Sequence, residues 1–363
     1  MGLNEASPDL PFHIALLANL VKILIIFVIA LQIPPVMVWS ERRIPALMQR
    51  RRGPNRVGLF RWRLWGLLQT AADALKLIFK EESVPQGANK YFYHLAPVFS
   101  VFPVFLVLCA IPFGESVQIL GYKIPLSIIN VNVGFLFILA MAGMAIYGIT
   151  LSGWAANSTF SLLGSLRASA QMISYEIPLG LSLIPLVLVY DSLDLVSIVR
   201  QQEHVWHWGI FLCPVSFLIF LVCMFAETNR TPFDLAEAES ELIVGYHTEY
   251  GSAKFAAFFL SEYVGMFALS CLCSILFFGG WHIPFITKND LMVLLFKNEN
   301  LIALVQFLVV MLKAAFFMFL YVWVRWTIPR FRYDQLMKLG WKFLLPLGLF
   351  NVLVTAAFLA TKF

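Results

Sequence analysis

The sequence predicts an all-α polytopic membrane protein, and three observations carry that reading. Of its 363 residues 60% are hydrophobic and 13% charged, far more apolar than the roughly 45–50% of an ordinary soluble domain. The apolar residues gather into runs near 16–39, 95–113, 133–153, 171–190, 207–226, 255–279, 302–324 and 342–361. Each run is about as long as the ~20 helical residues needed to cross a bilayer. None alternates with period two, which argues against a closed barrel and leaves helices as the way to satisfy the backbone in lipid. The expectation is eight transmembrane helices in one membrane domain spanning 1–363, since no tandem repeat or long hydrophilic stretch interrupts them.

Taken in order, the elements explain themselves. Met1–Phe12 carries Glu5 and Asp9 but no Lys or Arg, unlike a signal or transit peptide, so the first run is kept as a span. Lys22 inside that span is expected to snorkel toward the interface. After it, Leu64, Leu67, Leu68, Ala71, Ala72, Leu75, Ile78 and Phe79 recur at helical spacing, with Asp73, Lys76 and Lys80 on the opposite face. This segment is too short and too charged to cross, so an amphipathic helix along the membrane surface is expected. Of the 26 basic residues, most fall on the odd-numbered connections at 40–90, 154–170, 227–254 and 325–341. By the positive-inside rule these face the cytoplasm, with both termini on the other side. All five cysteines lie in or beside apolar runs and read as packing. His204 and His207, flanked by Trp206 and Trp208, read as an interfacial anchor, so no metal site is expected.

The candidate chemistry is carboxylate chemistry. Glu227, Asp234, Glu237, Glu239, Glu241 and Glu249 crowd into the fifth connection, with Arg230 nearby. Pro232 and Asp234 suggest a helix start that puts Asp234, Glu237 and Glu241 on one face, where like charges raise carboxyl pKa values. Glu176, placed at the start of the fourth span, and Glu262, within the sixth, are acids in apolar runs. Each costs about 2.5 kcal/mol or more at a helix centre, so each should face a partner or a watery cavity. Lys313, midway along the seventh run, is the natural counter-charge for either acid. The first connection holds eight arginines, and Glu41 beside Arg42 and Arg43, ahead of Gly53-Pro54, suggests a shaped site as well as a topology signal. There is no glycine fingerprint and no cysteine cluster to carry a redox centre.

Four stretches, ERRIPALMQRRRGPNRVG with LLQTAADALKLIFKEE, GWAANSTFSLLGSLRASAQMISYEI, AETNRTPFDLAEAESELIVGYHTEY and PRFRYDQLMKLGWK, together resemble the quinone-site membrane subunit of respiratory complex I, its H-type or first subunit. The resemblance covers nearly the whole chain and falls on the odd connections. Thr70 stands where proline is common and Phe160 where tyrosine is common, and neither touches a charged position. The resemblance implies a subunit of a proton-translocating NADH-quinone oxidoreductase that walls the quinone tunnel. Quinone, ubiquinone or menaquinone, is then its substrate, with none bound covalently, and iron-sulfur clusters and flavin belong to partner subunits. The implied proton-coupling residues are Glu176, Glu227, Asp234, Glu237, Glu239, Glu241, Glu249 and Glu262. The implied quinone-tunnel residues are Glu41, Arg42, Asp73, Arg230, Arg325, Arg330, Arg332 and Asp334. Implied partners are the other complex I subunits of the peripheral and membrane arms, quinone and membrane lipid, with no nucleic acid. The expected location is a bacterial plasma membrane with a periplasmic N-terminus, ahead of a mitochondrial inner membrane.

Two alternatives stay open on sequence. A homologous subunit of a hydrogenase-type complex keeps the fold and changes the electron donor. A secondary transporter also tolerates buried charge, although two matching halves are not seen here.

Overall fold

The structure, a computed structural model, describes residues 11–58, 64–119, 122–129, 132–235, 242–294 and 298–361. Seven of its described helices are long and apolar enough to cross a membrane. The first is α1 (Phe12–Met48), followed by the short amphipathic α2 (Leu67–Phe79) and by α3 (Lys90–Ala110). An antiparallel hairpin, β1 (Ser116–Ile119) and β2 (Tyr122–Pro125), leads to α4 (Gly134–Ala155) and α5 (Thr159–Tyr190). A short α6 (Leu195–Gln201) starts on Asp194, whose carboxylate accepts from the amides of Val196 and Ser197, an N-cap. The fifth apolar run is two helices, α7 (Gly209–Leu212) and α8 (Pro214–Glu227), parted at Cys213 where Pro214 removes a donor. Then come α9 (Ser252–Phe277), α10 (Lys288–Leu294), α11 (Glu299–Thr327), α12 (Tyr333–Lys338), a π-helical turn Leu339–Leu344, and α13 (Leu345–Ala360).

Several helices outrun the apolar runs that announce them. At 1.5 Å per residue α1 is about 55 Å long and α5 about 48 Å, well beyond ~30 Å of hydrocarbon. Hydropathy marks only the apolar part, whereas the helix continues into polar sequence, in α1 even through Pro45. So Glu41 and Arg42 ride on the last turns of α1, not on a loop, and the third connection shrinks from the expected 154–170 to 156–158. Glu176 consequently sits midway along α5 and not at a span's mouth.

The connections sort into two ends by their contacts. At one end Ser252 Oγ donates to the carbonyls of Leu77 and Lys80 at 3.1 and 2.7 Å, the Asn89 amide donates to Ala155, and the Phe331 amide donates to Pro232. At the other end the Gln118 amide donates to Asn300 Oδ1 at 2.8 Å, the Glu115 amide donates to Gln306, and Lys123 pairs with Glu299. Lys22 donates to the carbonyls of Pro125 and Ser127, tying α1 to the hairpin.

Small residues let the helices approach closely. A Cβ on Gly148 of α4 would stand 2.2 Å from Ser100 Oγ and 2.5 Å from the Ser100 nitrogen on α3. α3, α4, α5, α8 and α9 pack each on the next to form a ring, and residues of all five line a partly open cavity of about 90 Å³.

Candidate functional site

The site grows from the last turn of α8. Thr228 Oγ1 donates to the Met224 and Phe225 carbonyls, the Tyr321 hydroxyl donates to Met224 O at 2.9 Å, and Gln171 Nε2 donates to Ala226 O at 2.9 Å. These bonds satisfy carbonyls that a helix end leaves orphaned. Asn229 then takes a left-handed φ of 48° and turns the chain so that Arg230 points back into the protein.

Arg230 is buried, and its guanidinium is shared. Nη1 lies 3.8 Å from Glu41 Oε1 on α1, and Nη2 lies 3.5 Å from Glu262 Oε2 on α9. The Tyr263 ring lies beneath it at 4.3 Å, and the Tyr263 hydroxyl donates to Glu41 Oε2 at 2.9 Å. Arg325 Nη1, from the end of α11, donates to the same oxygen at 2.5 Å. Tyr246 donates its hydroxyl to Glu262 Oε1 at 2.9 Å. Two carboxylates thus face two guanidiniums, and each also accepts from a phenol, an arrangement that offsets the desolvation of burying such charges.

Glu262 also opens on the ring's cavity, beside Glu227, Asn229 and Ser261 at its polar end and Met141 and Gly265 along its apolar wall. Glu227 closes α8 with Oε2 sealed from solvent and unpartnered among the described residues. It lies within electrostatic reach of Glu176, whose carboxylate leans on Gly143 of α4. A cavity of this size admits several waters, and its polar groups can hold them. The arrangement can therefore bind charge, shift protons between carboxylates, and feel any charge that appears beside Glu41.

The other predicted residues separate into distinct groups. Arg42 pairs with Asp73 at 2.7 Å, joining α1 to the surface helix, with Gln69 donating to the same carboxylate at 3.2 Å. Asp234 pairs with Arg330 at 2.9 Å across the fifth and seventh connections, so Arg230 is not the acidic loop's single counter-charge. Arg332 and Asp334 meet each other at 3.7 Å on the exposed surface. Glu249 contributes its backbone carbonyl, which accepts from the Tyr93 hydroxyl at 2.8 Å. Glu237, Glu239 and Glu241 lie outside the described residues.

Lys313 corrects an expectation. Its ammonium donates to three carbonyls, Phe278 and Gly280 at 2.7 Å and His282 at 2.6 Å, and meets no carboxylate of Glu176 or Glu262. The physical reason is the end of α9, whose orphaned carbonyls turn inward through left-handed Gly279 and Gly280 and use all three donors of the lysine. Sequence reasoning also missed Tyr263, Tyr246, Gln171 and Asn229, polar groups in apolar surroundings that composition treats as packing. Glu262-Tyr263 was the one local hint, a phenol directly following a buried acid.

Comparison with known proteins bears on the same chain. The family model described as NADH dehydrogenase matches residues 21–356. The chain is 47% identical over 334 residues to the second of the H subunits of NADH-quinone oxidoreductase in Rhizobium meliloti strain 1021, covering 92% of this chain and 95% of the relative. It is 44% identical over 342 residues to the first of the H subunits of the same enzyme in Cytophaga hutchinsonii, covering 94% and 96%. Against the H subunit from Protochlamydia amoebophila identity is 48% over 322 residues, covering 89% and 91%. With matches this long and this uniform, the chain belongs to the NADH dehydrogenase family, that of the H subunits of NADH-quinone oxidoreductase.

Proposed function

We propose that this chain walls the quinone tunnel of a proton-translocating NADH-quinone oxidoreductase and links quinone reduction to proton movement through its carboxylates. The observation that carries this reading is Arg230, one guanidinium divided between Glu41 and Glu262. Glu41 belongs to α1, which meets the surface helix and α9; a quinone from the bilayer enters at that junction. Glu262 lines the cavity together with Glu227, which in turn feels the charge of Glu176.

Electrons come from iron-sulfur partners, whose flavin takes them from NADH. Reduction of quinone to quinol consumes two electrons and two protons, and negative charge develops on the headgroup before the protons arrive. That charge competes for Arg230. As the guanidinium leans toward the headgroup, Glu262 loses its counter-charge and its proton affinity rises, because an opposite charge within about 4–6 Å is what keeps a carboxyl ionised. The proton taken up by Glu262 perturbs Glu227 and Glu176 in turn, and Glu176 passes the change to neighbouring pumping subunits. Asp234, Glu237, Glu239, Glu241 and Glu249 supply protons from the cytoplasmic side, and Arg42, Asp73, Arg325, Arg330, Arg332 and Asp334 shape the tunnel and its docking face. In this reading the chain crosses a bacterial plasma membrane eight times, with α7 and α8 together making the fifth crossing, and the basic residues of the odd connections face the cytoplasm while the N-terminus faces the periplasm.

The test uses the assembled complex. With Glu262→Gln or Arg230→Lys, NADH oxidation by a hydrophilic artificial acceptor persists while quinone-linked turnover falls at least tenfold. Full quinone turnover with an unchanged proton-to-electron ratio in both variants would remove the network from the mechanism.

A further inference from the structure

Between the helices and the charge network lies a hydrogen-bonded brace that the proposed mechanism has not used. Gln171 on α5 is buried, and its Nε2 donates both to the Ala226 carbonyl at 2.9 Å and to Asn229 Oδ1 at 3.0 Å. Chemistry fixes the orientation of the amide: a backbone carbonyl only accepts, so the nitrogen must face Ala226. Asn229 spends its own amide on Met172, with Nδ2 3.6 Å from the sulfur. The brace therefore spans from α5 to the turn that carries Arg230, and both ends are deep in the protein.

The turn needs such a brace. Asn229 holds φ at 48°, a conformation that only glycine adopts without strain and that asparagine tolerates when its side chain is hydrogen-bonded. The Arg230 amide returns to Phe225 O at 3.4 Å, a long bond that fixes direction weakly. Arg230 in turn meets its carboxylates at 3.5 and 3.8 Å, with the Tyr263 ring 4.3 Å beneath its guanidinium. Where it starts from depends on the backbone beneath it, which is held by the Phe233 amide donating to the Arg230 carbonyl at 2.8 Å and by the Gln171 brace from α5.

We infer that Gln171 and Asn229 are positioning residues, which hold the Arg230 guanidinium midway between Glu41 and Glu262 so that charge on a quinone can tip it. The inference rests on the reading of Arg230 given above. Loosening the brace lets Arg230 settle on one carboxylate and leaves the other under-compensated, so its proton occupancy no longer follows the quinone.

The experiment compares Gln171→Met, which keeps the volume and removes the donor, with Asn229→Gly, which keeps the left-handed turn and removes the acceptor. Each is made alone and together with Arg230→Lys in the assembled, membrane-bound complex, with rates normalised to NADH oxidation by an artificial acceptor. Each single variant is expected to lower quinone-linked kcat about tenfold with little change in KM, within the range a displacement of a catalytic group by about 1 Å produces. The acid limb of the pH profile should move in the same direction as in Arg230→Lys, and neither change should add to the loss in the Arg230→Lys background, since residues acting through one another are non-additive. Unchanged kcat, losses that multiply with Arg230→Lys, or loss of assembly in both single variants overturns the inference and leaves the role of Arg230 standing. An Arg230→Lys enzyme with normal quinone turnover overturns both.

Discussion

Arg230 stands 3.5 Å from Glu262 although it leaves the end of α8 while Glu262 sits inside α9, and their side chains are only 9% and 10% exposed. Removing one partner of such a pair leaves the other as an uncompensated buried charge, which typically costs about 3–5 kcal/mol. Replacing Arg230 with methionine should therefore deplete assembled complex in native gels. Adding Glu262→Gln to that background should restore part of the assembly without restoring quinone turnover, whereas a double variant no better assembled than the single one would show that the pair is not what Arg230 stabilises.

Lys313 should behave as a structural cation and not as a proton carrier. Its three carbonyl bonds are charge-assisted, each contributing about 1.5–3 kcal/mol in the general case. Lys313→Met is expected to destabilise the end of α9, read as a lower thermal midpoint of the purified complex and as proteolytic nicking near Gly279. Per assembled complex its pH profile should match that of the parent, and a displaced profile would reassign the lysine to proton transfer.

Two glycines of α4 give opposite outcomes. At Gly148 any side chain runs into the Ser100 backbone, so Gly148→Ala should abolish assembly. At Gly143 a Cβ would meet only the tip of Glu176, at 2.8 Å from Oε1, and a flexible carboxylate can yield. Gly143→Ala should assemble normally and slow quinone-linked proton translocation by moving Glu176; normal pumping in that variant would mean that the orientation of Glu176 is immaterial.

Arg42 and Asp73 are a solvent-facing pair, 46% and 37% exposed, of the kind that contributes at most about 1 kcal/mol. Asp73→Asn should leave assembly intact. Since the pair fastens the surface helix to α1 at the proposed quinone entrance, the change should raise KM for a long-chain quinone more than for a short-chain one, and equal effects on both would separate the pair from quinone entry.

His282, in the connection after α9, has its pKa pushed below the ordinary histidine value, first by burial, with Lys313 adding to the shift and Glu203 opposing it. The folded protein therefore favours the neutral imidazole, and the unfolded chain binds more protons once pH falls below about 6.5. Stability from this group is present above that pH and is lost as pH falls through it. Thermal midpoints at pH 7.5 and 5.5 should differ less for His282→Gln than for the parent, and an equal difference would show that the imidazole is accommodated in both protonation states.

Much of the fold was legible because lipid enforces it. Apolar runs had to become helices, and the amphipathic spacing from Leu64 to Phe79 had to be helical, as α2 is over Leu67–Phe79. The ends were less legible: α1 and α5 run on past their apolar runs, α1 even through Pro45, and hydropathy is blind to a helix in water. The site was legible as a set of charges and illegible as a set of pairs. Glu41, Arg230, Glu262 and Arg325 each stand out alone, but their meeting depends on how four helices pack over long sequence separations, which no local pattern encodes. Lys313 misled for the same reason: a lysine in an apolar run invites an acid as partner, while backbone carbonyls, invisible in a sequence of side chains, supplied the solution.

The most direct measurement is infrared difference spectroscopy of the assembled complex as its quinone is reduced, in the parent and in Glu262→Gln. The account predicts a protonated-carboxyl band that rises on reduction in the parent and is missing in Glu262→Gln, with Arg230→Lys altering its size. The same band in both proteins would contradict a proton taken up by Glu262 in response to quinone charge.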